Sequence, residues 1–77
     1  MPHIVIKLWP GKSIEQKNKL SDKITKAMVE ELGSSENSIS IDVVEIQKDD
    51  WMKNVYNKEI KPNISTLVKK PGYKSIT

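Results

Sequence analysis

The sequence predicts an α/β protein: a βαβ unit of two parallel strands joined by a long crossover helix, with short helices after it and a sheet completed by oligomerisation. Three observations predict this. Residues 3–9 alternate apolar and polar with period two, residues 14–32 carry apolar side chains at spacings of three and four, and residues 38–46 return to period two. A strand, a crossover and a second strand are expected to pair in parallel with right-handed sense. Size explains why the sheet needs completing. The chain has 77 residues, and a domain this short buries only about 60% of the surface its unfolded form exposes. Two strands do not make a stable sheet by themselves, so a second copy of the chain is the expected source of the rest. The whole of 1–77 reads as one domain.

The first strand sets Ile4, Ile6 and Leu8 on one side and His3, Val5, Lys7 and Trp9 on the other, and Pro10-Gly11 ends it. Ser13, three residues before Gln16, is a capping box, because each side chain can satisfy a backbone donor that the first helical turn leaves free. The helix is predicted from Ile14 to Leu32 with an apolar stripe of Ile14, Leu20, Ile24, Ala27, Met28 and Leu32. Gly33 closes it, where a left-handed cap favours glycine. Ser34 to Asn37 connects to the second strand, Ser38 to Ile46, with Ile39, Ile41 and Val43 on one face and Ser40, Asp42, Val44 and Ile46 on the other. Asp49 and Asp50 are expected to cap a short helix beginning near Trp51 that shares Met52, Val55 and Tyr56 on one face. Pro62 is expected to open another helical turn carrying Ile64, Leu67 and Val68, stopped by Pro71-Gly72. The tail, Tyr73 to Thr77, is polar enough to be loose or to reach a neighbouring subunit.

Composition removes several function classes. There is no cysteine, so disulfides and thiolate metal sites are excluded, and the single His3 makes no metal site by spacing. No apolar run approaches the roughly 18 residues of a membrane span, and the start lacks a signal-peptide layout, so a cytoplasmic protein is expected with no membrane partner. The net charge is +3, and all thirteen basic residues are lysine. Arginine is the residue that reads guanine edges and clamps carboxylates in bidentate fashion. Its absence, with lysines interleaved among acids, argues against nucleic acid as a partner.

Pro2 is the residue whose chemistry stands out. Methionine before a small residue is normally trimmed, which leaves proline as a free secondary amine on the end of a strand. An α-amino group has a pKa of roughly 7.7 to 8.0, against about 10.4 for lysine. Slightly above pH 7 it is free base about a quarter of the time, and one unit of depression raises that to about three quarters. Apolar burial or a neighbouring cation would supply that depression. On residue type alone Trp51, Ile39 and Leu8 serve as walls for such an amine, and Lys12 or Lys7 as the cation. The plainer role for Pro2 is an edge residue that simply cannot donate to a sheet.

The proline-led strand Pro2-His3-Ile4-Val5-Ile6, the lysine-rich amphipathic helix, Ser38-Ile39-Ser40-Ile41, Trp51 and the closing Lys69-Lys70-Pro71-Gly72-Tyr73 together resemble the 4-oxalocrotonate tautomerase family, most of all its small, dimeric PptA-type branch. The resemblance spans nearly the whole chain. It implies a cofactor-free keto-enol tautomerase with Pro2 as general acid and base on a small enol or keto acid, assembled as a homodimer, with a hexamer as the alternative. Better-known members carry an arginine shortly after the first strand, where this chain has Lys12. They carry a second in the middle of the second strand, where Ser40 stands, and their aromatic pocket residue matches Trp51. Lys12, Ser40 and Trp51 are therefore the expected substrate-binding residues. One lysine and one hydroxyl suit a single carboxylate on an aromatic body, such as an aryl-enolpyruvate, better than a dicarboxylate. Each has a structural alternative: a solvated loop lysine, a subunit contact, an interface aromatic. His3, Trp9 and Tyr73 read as structural. A non-catalytic binding protein of the same fold and a basic nucleic-acid binder are the competing functions, the latter recognisable by affinity that falls steeply with salt.

Overall fold

A computed structural model describes residues 1–74. The first strand, β1, runs His3–Leu8, and the helix α1 runs Ile14–Leu32. The second strand, β2, is Ser40–Glu45 and pairs with β1 in parallel, His3 opposite Ser40 through Leu8 opposite Glu45. The predicted βαβ unit is thus present. α1 starts at the predicted capping box: Ser13 Oγ accepts from Gln16 N–H at 3.1 Å, and Ser13 N–H donates to Gln16 Oε1 at 2.9 Å. It ends at Gly33, whose φ of 68° is the left-handed conformation that glycine adopts without cost. Lys17 on α1 pairs with Glu45 at the end of β2 at 3.1 Å and ties the crossover to the sheet.

Several boundaries differ from the sequence expectation: β1 stops at Leu8, not Trp9, and β2 at Glu45, not Ile46. β2 begins at Ser40, not Ser38, because both the N–H and the hydroxyl of Ser38 bond the Ser35 carbonyl and draw Glu36–Ser38 into a 3₁₀ turn. The next helix, α2, begins earlier than expected, Lys48–Trp51, with Gln47 at its cap position; Asp49 and Asp50 lie inside the first turn, where they face the positive end of the helix dipole. It continues without a break into a π-wound segment, Met52–Ile60, at whose end the Lys61 N–H bonds the Tyr56 carbonyl five residues back. Val55 and Tyr56 face inward as predicted. Pro62 sits in a 3₁₀ turn, Lys61–Asn63, but no helix follows: the chain reverses through Asn63 and leaves Val68 fully exposed, with only Leu67 partly covered. The expectation for the tail beyond Lys74 lies outside the described residues.

Among the described residues only Val55 and Tyr56 are buried. No residue of α1 is, and Ile14 and Leu32 of its apolar stripe remain 74% and 65% exposed. The chain exposes 6157 Å², where a compact 8.8 kDa protein exposes about 4,800 Å². Its radius of gyration, 14.2 Å, also exceeds the roughly 11.5 Å of a compact chain of this length. One protomer is a plate 18 Å thick with about 1,400 Å² more surface than it needs, an area typical of one side of an obligate subunit contact. No described helix is long and apolar enough to cross a membrane.

Candidate active site

Backbone direction decides which edge of the sheet is open beside Pro2. The Pro2 carbonyl accepts from Ser40 N–H at 3.2 Å and the Leu8 carbonyl from Ile46 N–H at 2.8 Å. Even-numbered residues of β1 therefore spend their backbone groups on β2, and alternation along a strand turns those of His3, Val5 and Lys7 to the free edge. Pro2 itself is half-buried at the start of this strand. Beside it, His3 Nδ1 lies 2.6 Å from Ser40 Oγ, so the hydroxyl expected to meet substrate is engaged by the neighbouring imidazole.

A pocket of about 680 Å³ lies at the other end of β1. Leu8, Trp9, Pro10 and Trp51 form its walls, and Lys7, Lys12 and Lys48 border it; no carboxylate lines it. Lys7 is neutralised by Glu59 on the π-wound segment. Lys12 and Lys48 have no ion-pair partner among the described residues, so the pocket carries an uncompensated positive charge. The Lys48 ammonium sits 5.3 Å from the centre of the Trp9 ring. Trp51 is oriented by its own N–H, which donates to Tyr73 Oη at 2.8 Å, and the Tyr73 ring in turn packs on buried Tyr56 at 5.7 Å between centroids. An apolar, aromatic-walled space with free ammonium groups at its border suits an organic anion with a flat apolar body. No group of three or more potential metal ligands occurs among the described residues.

The predicted residues thus fall into two groups. Pro2 and Ser40 share one end of the sheet; Lys12 and Trp51 share the other, with Leu8 and Lys7. Six residue steps of strand separate Pro2 from Leu8, about 20 Å, so within one protomer Leu8 and Trp51 do not wall Pro2 and neither lysine reaches it. That expectation is corrected here; of the three walls only Ile39, next to Ser40, is at the Pro2 end. Four pocket residues were missed: Trp9, which reads as structural, Pro10, which reads only as the end of the strand, and Lys48 and Tyr73. Lys48 carries no sequence signal beyond its place at the start of a helix, and Tyr73, read as packing, is brought to Trp51 by a chain reversal that no local pattern reports.

Residues 2–56 match the family model described as Tautomerase enzyme. The chain is 40% identical over 74 residues to Tautomerase PptA of Cronobacter sakazakii and 43% identical over 74 residues to Tautomerase PptA of Escherichia coli; each alignment covers 95% of this chain and 97% of the relative. Among solved structures it is similar to YwhB, a homologue of 4-oxalocrotonate tautomerase, with a TM-score of 0.60 and 38% identity over 62% of this chain and 79% of that one.

Proposed function

The chain belongs to the tautomerase family and is an isomerase; from that premise we propose that Pro2, once Met1 is removed, is its general acid and base, and that it works in the pocket of a second protomer. The observation that carries this reading is the pairing of an open β1 edge with a pocket at that strand's far end. A twofold axis that joins two β1 edges sets them antiparallel. Because the outward-facing residues are His3, Val5 and Lys7, only registers that pair odd with odd residues form the ladder. The two with the greatest overlap set Pro2 opposite Leu8 or opposite Pro10 of the other strand, and both residues line the pocket. A homodimer of this kind completes two identical sites and covers the excess surface.

In that site the Pro2 amine takes a proton from an enol hydroxyl and returns it to the adjacent carbon, giving the ketone. Leu8 and Trp51 of the facing protomer supply apolar surroundings that favour the free amine. Lys12 holds the carboxylate and steadies the enolate charge. The Trp9 and Trp51 rings accept a flat body, so the substrate is an aryl-enolpyruvate type of acid and no cofactor takes part. Ser40, bonded to His3, orients the strand end that bears the amine.

Phenylenolpyruvate ketonisation by chain of verified intact mass tests this. With Met1 absent, Pro2→Ala is expected to lose 10² to 10⁴ in rate, the usual contribution of a general base. Lys12→Ala is expected to raise KM and also to lower kcat, because it removes both the carboxylate contact and the charge that steadies the enolate. Equal activity of Pro2→Ala and the parent, or trimmed protein no faster than buffer, removes the mechanism while leaving the fold untouched.

A further inference from the structure

The proton transfer makes no use of Tyr73, yet its geometry is that of a ligand contact. An indole nitrogen can only donate, so in the 2.8 Å bond from Trp51 Nε1 the Tyr73 oxygen is the acceptor. The phenol proton is left for another partner, and the phenol forms no second hydrogen bond among the described residues. A hydroxyl that already accepts one hydrogen bond is polarised into a stronger donor. Its ring is steadied through the tilted contact with Tyr56, which is 8% exposed. The pocket that Tyr73 lines also holds Lys12 and Lys48, and no carboxylate competes for these three donors.

We propose that Tyr73 is a substrate-binding residue: its phenol donates to the carboxylate of a planar aromatic monoanion lying against Trp9 and Trp51, with Lys12 and Lys48 balancing the charge. This deepens the tautomerase reading and rests on it for the identity of the pocket as the reacting site. The residue lies beyond the segment matched by the family model, which ends at residue 56. It would make recognition of the anion depend on the C-terminal stretch as well as on the βαβ unit.

The probe is cinnamate, which has the flat ring and the carboxylate but no enol to ketonise. The chain has two tryptophans, and both line the pocket, so quenching of intrinsic fluorescence reports occupancy directly. Tyr73→Phe keeps the ring and its packing on Tyr56 and removes only the donor. It is expected to bind cinnamate at least about tenfold more weakly than the parent, the usual effect of losing a hydrogen bond to a charged group. Neutral cinnamyl alcohol is expected to bind both proteins equally. Unchanged cinnamate affinity in Tyr73→Phe overturns the proposal. So does an equal loss for the acid and the alcohol, which marks a packing role, and so does failure of the parent to bind cinnamate at all. Turnover is read separately on phenylenolpyruvate: a selective loss of cinnamate affinity in a protein without turnover upholds the anion contact and rejects the tautomerase mechanism.

Discussion

A proline at residue 5 separates the two edges of the sheet. The Val5 N–H faces the free edge of β1 and takes no part in the β1–β2 ladder, and proline lacks that donor while keeping an extended backbone. In either register allowed for two antiparallel β1 edges, Val5→Pro removes two hydrogen bonds per dimer, one at each copy. Losing each leaves a carbonyl unpaired inside the joined sheet, at a cost of about 1–3 kcal/mol. The sum is about 4 kcal/mol, which at 1.4 kcal/mol per decade weakens dimerisation by nearly a thousandfold. Val43→Pro is the control, since its N–H faces the opposite, β2 edge. Sedimentation velocity across a range of concentrations, with ketonisation measured on the same samples, reads both. Val5→Pro is expected to dissociate at concentrations where Val43→Pro remains dimeric, and its activity should fall with the dimer fraction. If Val5→Pro sediments as the parent does and Val43→Pro comes apart, the β2 edge is the joint, and the route by which Pro2 reaches the pocket is wrong.

The remaining predictions are simpler. The kcat/KM for an aryl-enolpyruvate should rise with pH and level off above the pKa of the Pro2 amine, because only the free amine accepts a proton; on the acid side it should fall about tenfold per unit. A chain that keeps Met1 should lack this limb, since its Pro2 nitrogen is an amide, and a flat profile in the trimmed enzyme would rule out the amine as base. Ser13→Ala removes the acceptor of the capping box and should cost about 1 kcal/mol, seen as a melting temperature lower by several degrees. Ser13→Thr should restore most of it.

The βαβ unit was legible because its signals are local. Period two gave the strands, the spacing of Ile24, Met28 and Leu32 gave the helix, and Ser13, Gln16 and Gly33 marked its ends. Of the pocket, Lys12, Trp51 and Leu8 are named by the sequence reading, which does not give their arrangement. It sets Leu8 beside Pro2, although the strand between them is about 20 Å long. That length is why the proposed mechanism brings Pro2 to the pocket of a second chain. Tyr73 escaped notice for a different reason: Pro71-Gly72 announces a break, and nothing in the neighbouring residues tells where the chain goes after it. Ser38 shows the limit on the scale of one residue, where a hydroxyl bonding back three positions outweighed the alternating pattern that continued through it.

The π-wound stretch Met52–Ile60 has a consequence for how this fold tolerates changes in length. A π turn holds about one residue more than an α turn, so such segments behave as a retained insertion. Deleting Asn57 or Lys58 should let the segment rewind toward α while the turn at Pro62 keeps close to its present direction, because the residue removed is the extra one that the π winding had absorbed. Glu59 should still meet Lys7, and Tyr73 should still reach Tyr56. The same deletion in the middle of α1, which has no such residue to give up, should turn everything after it by about 100°, the angle between successive α-helical residues. The capping box at Ser13 and the left-handed Gly33 could not then both keep their places. The irregularly wound helix is the one that should accept the loss.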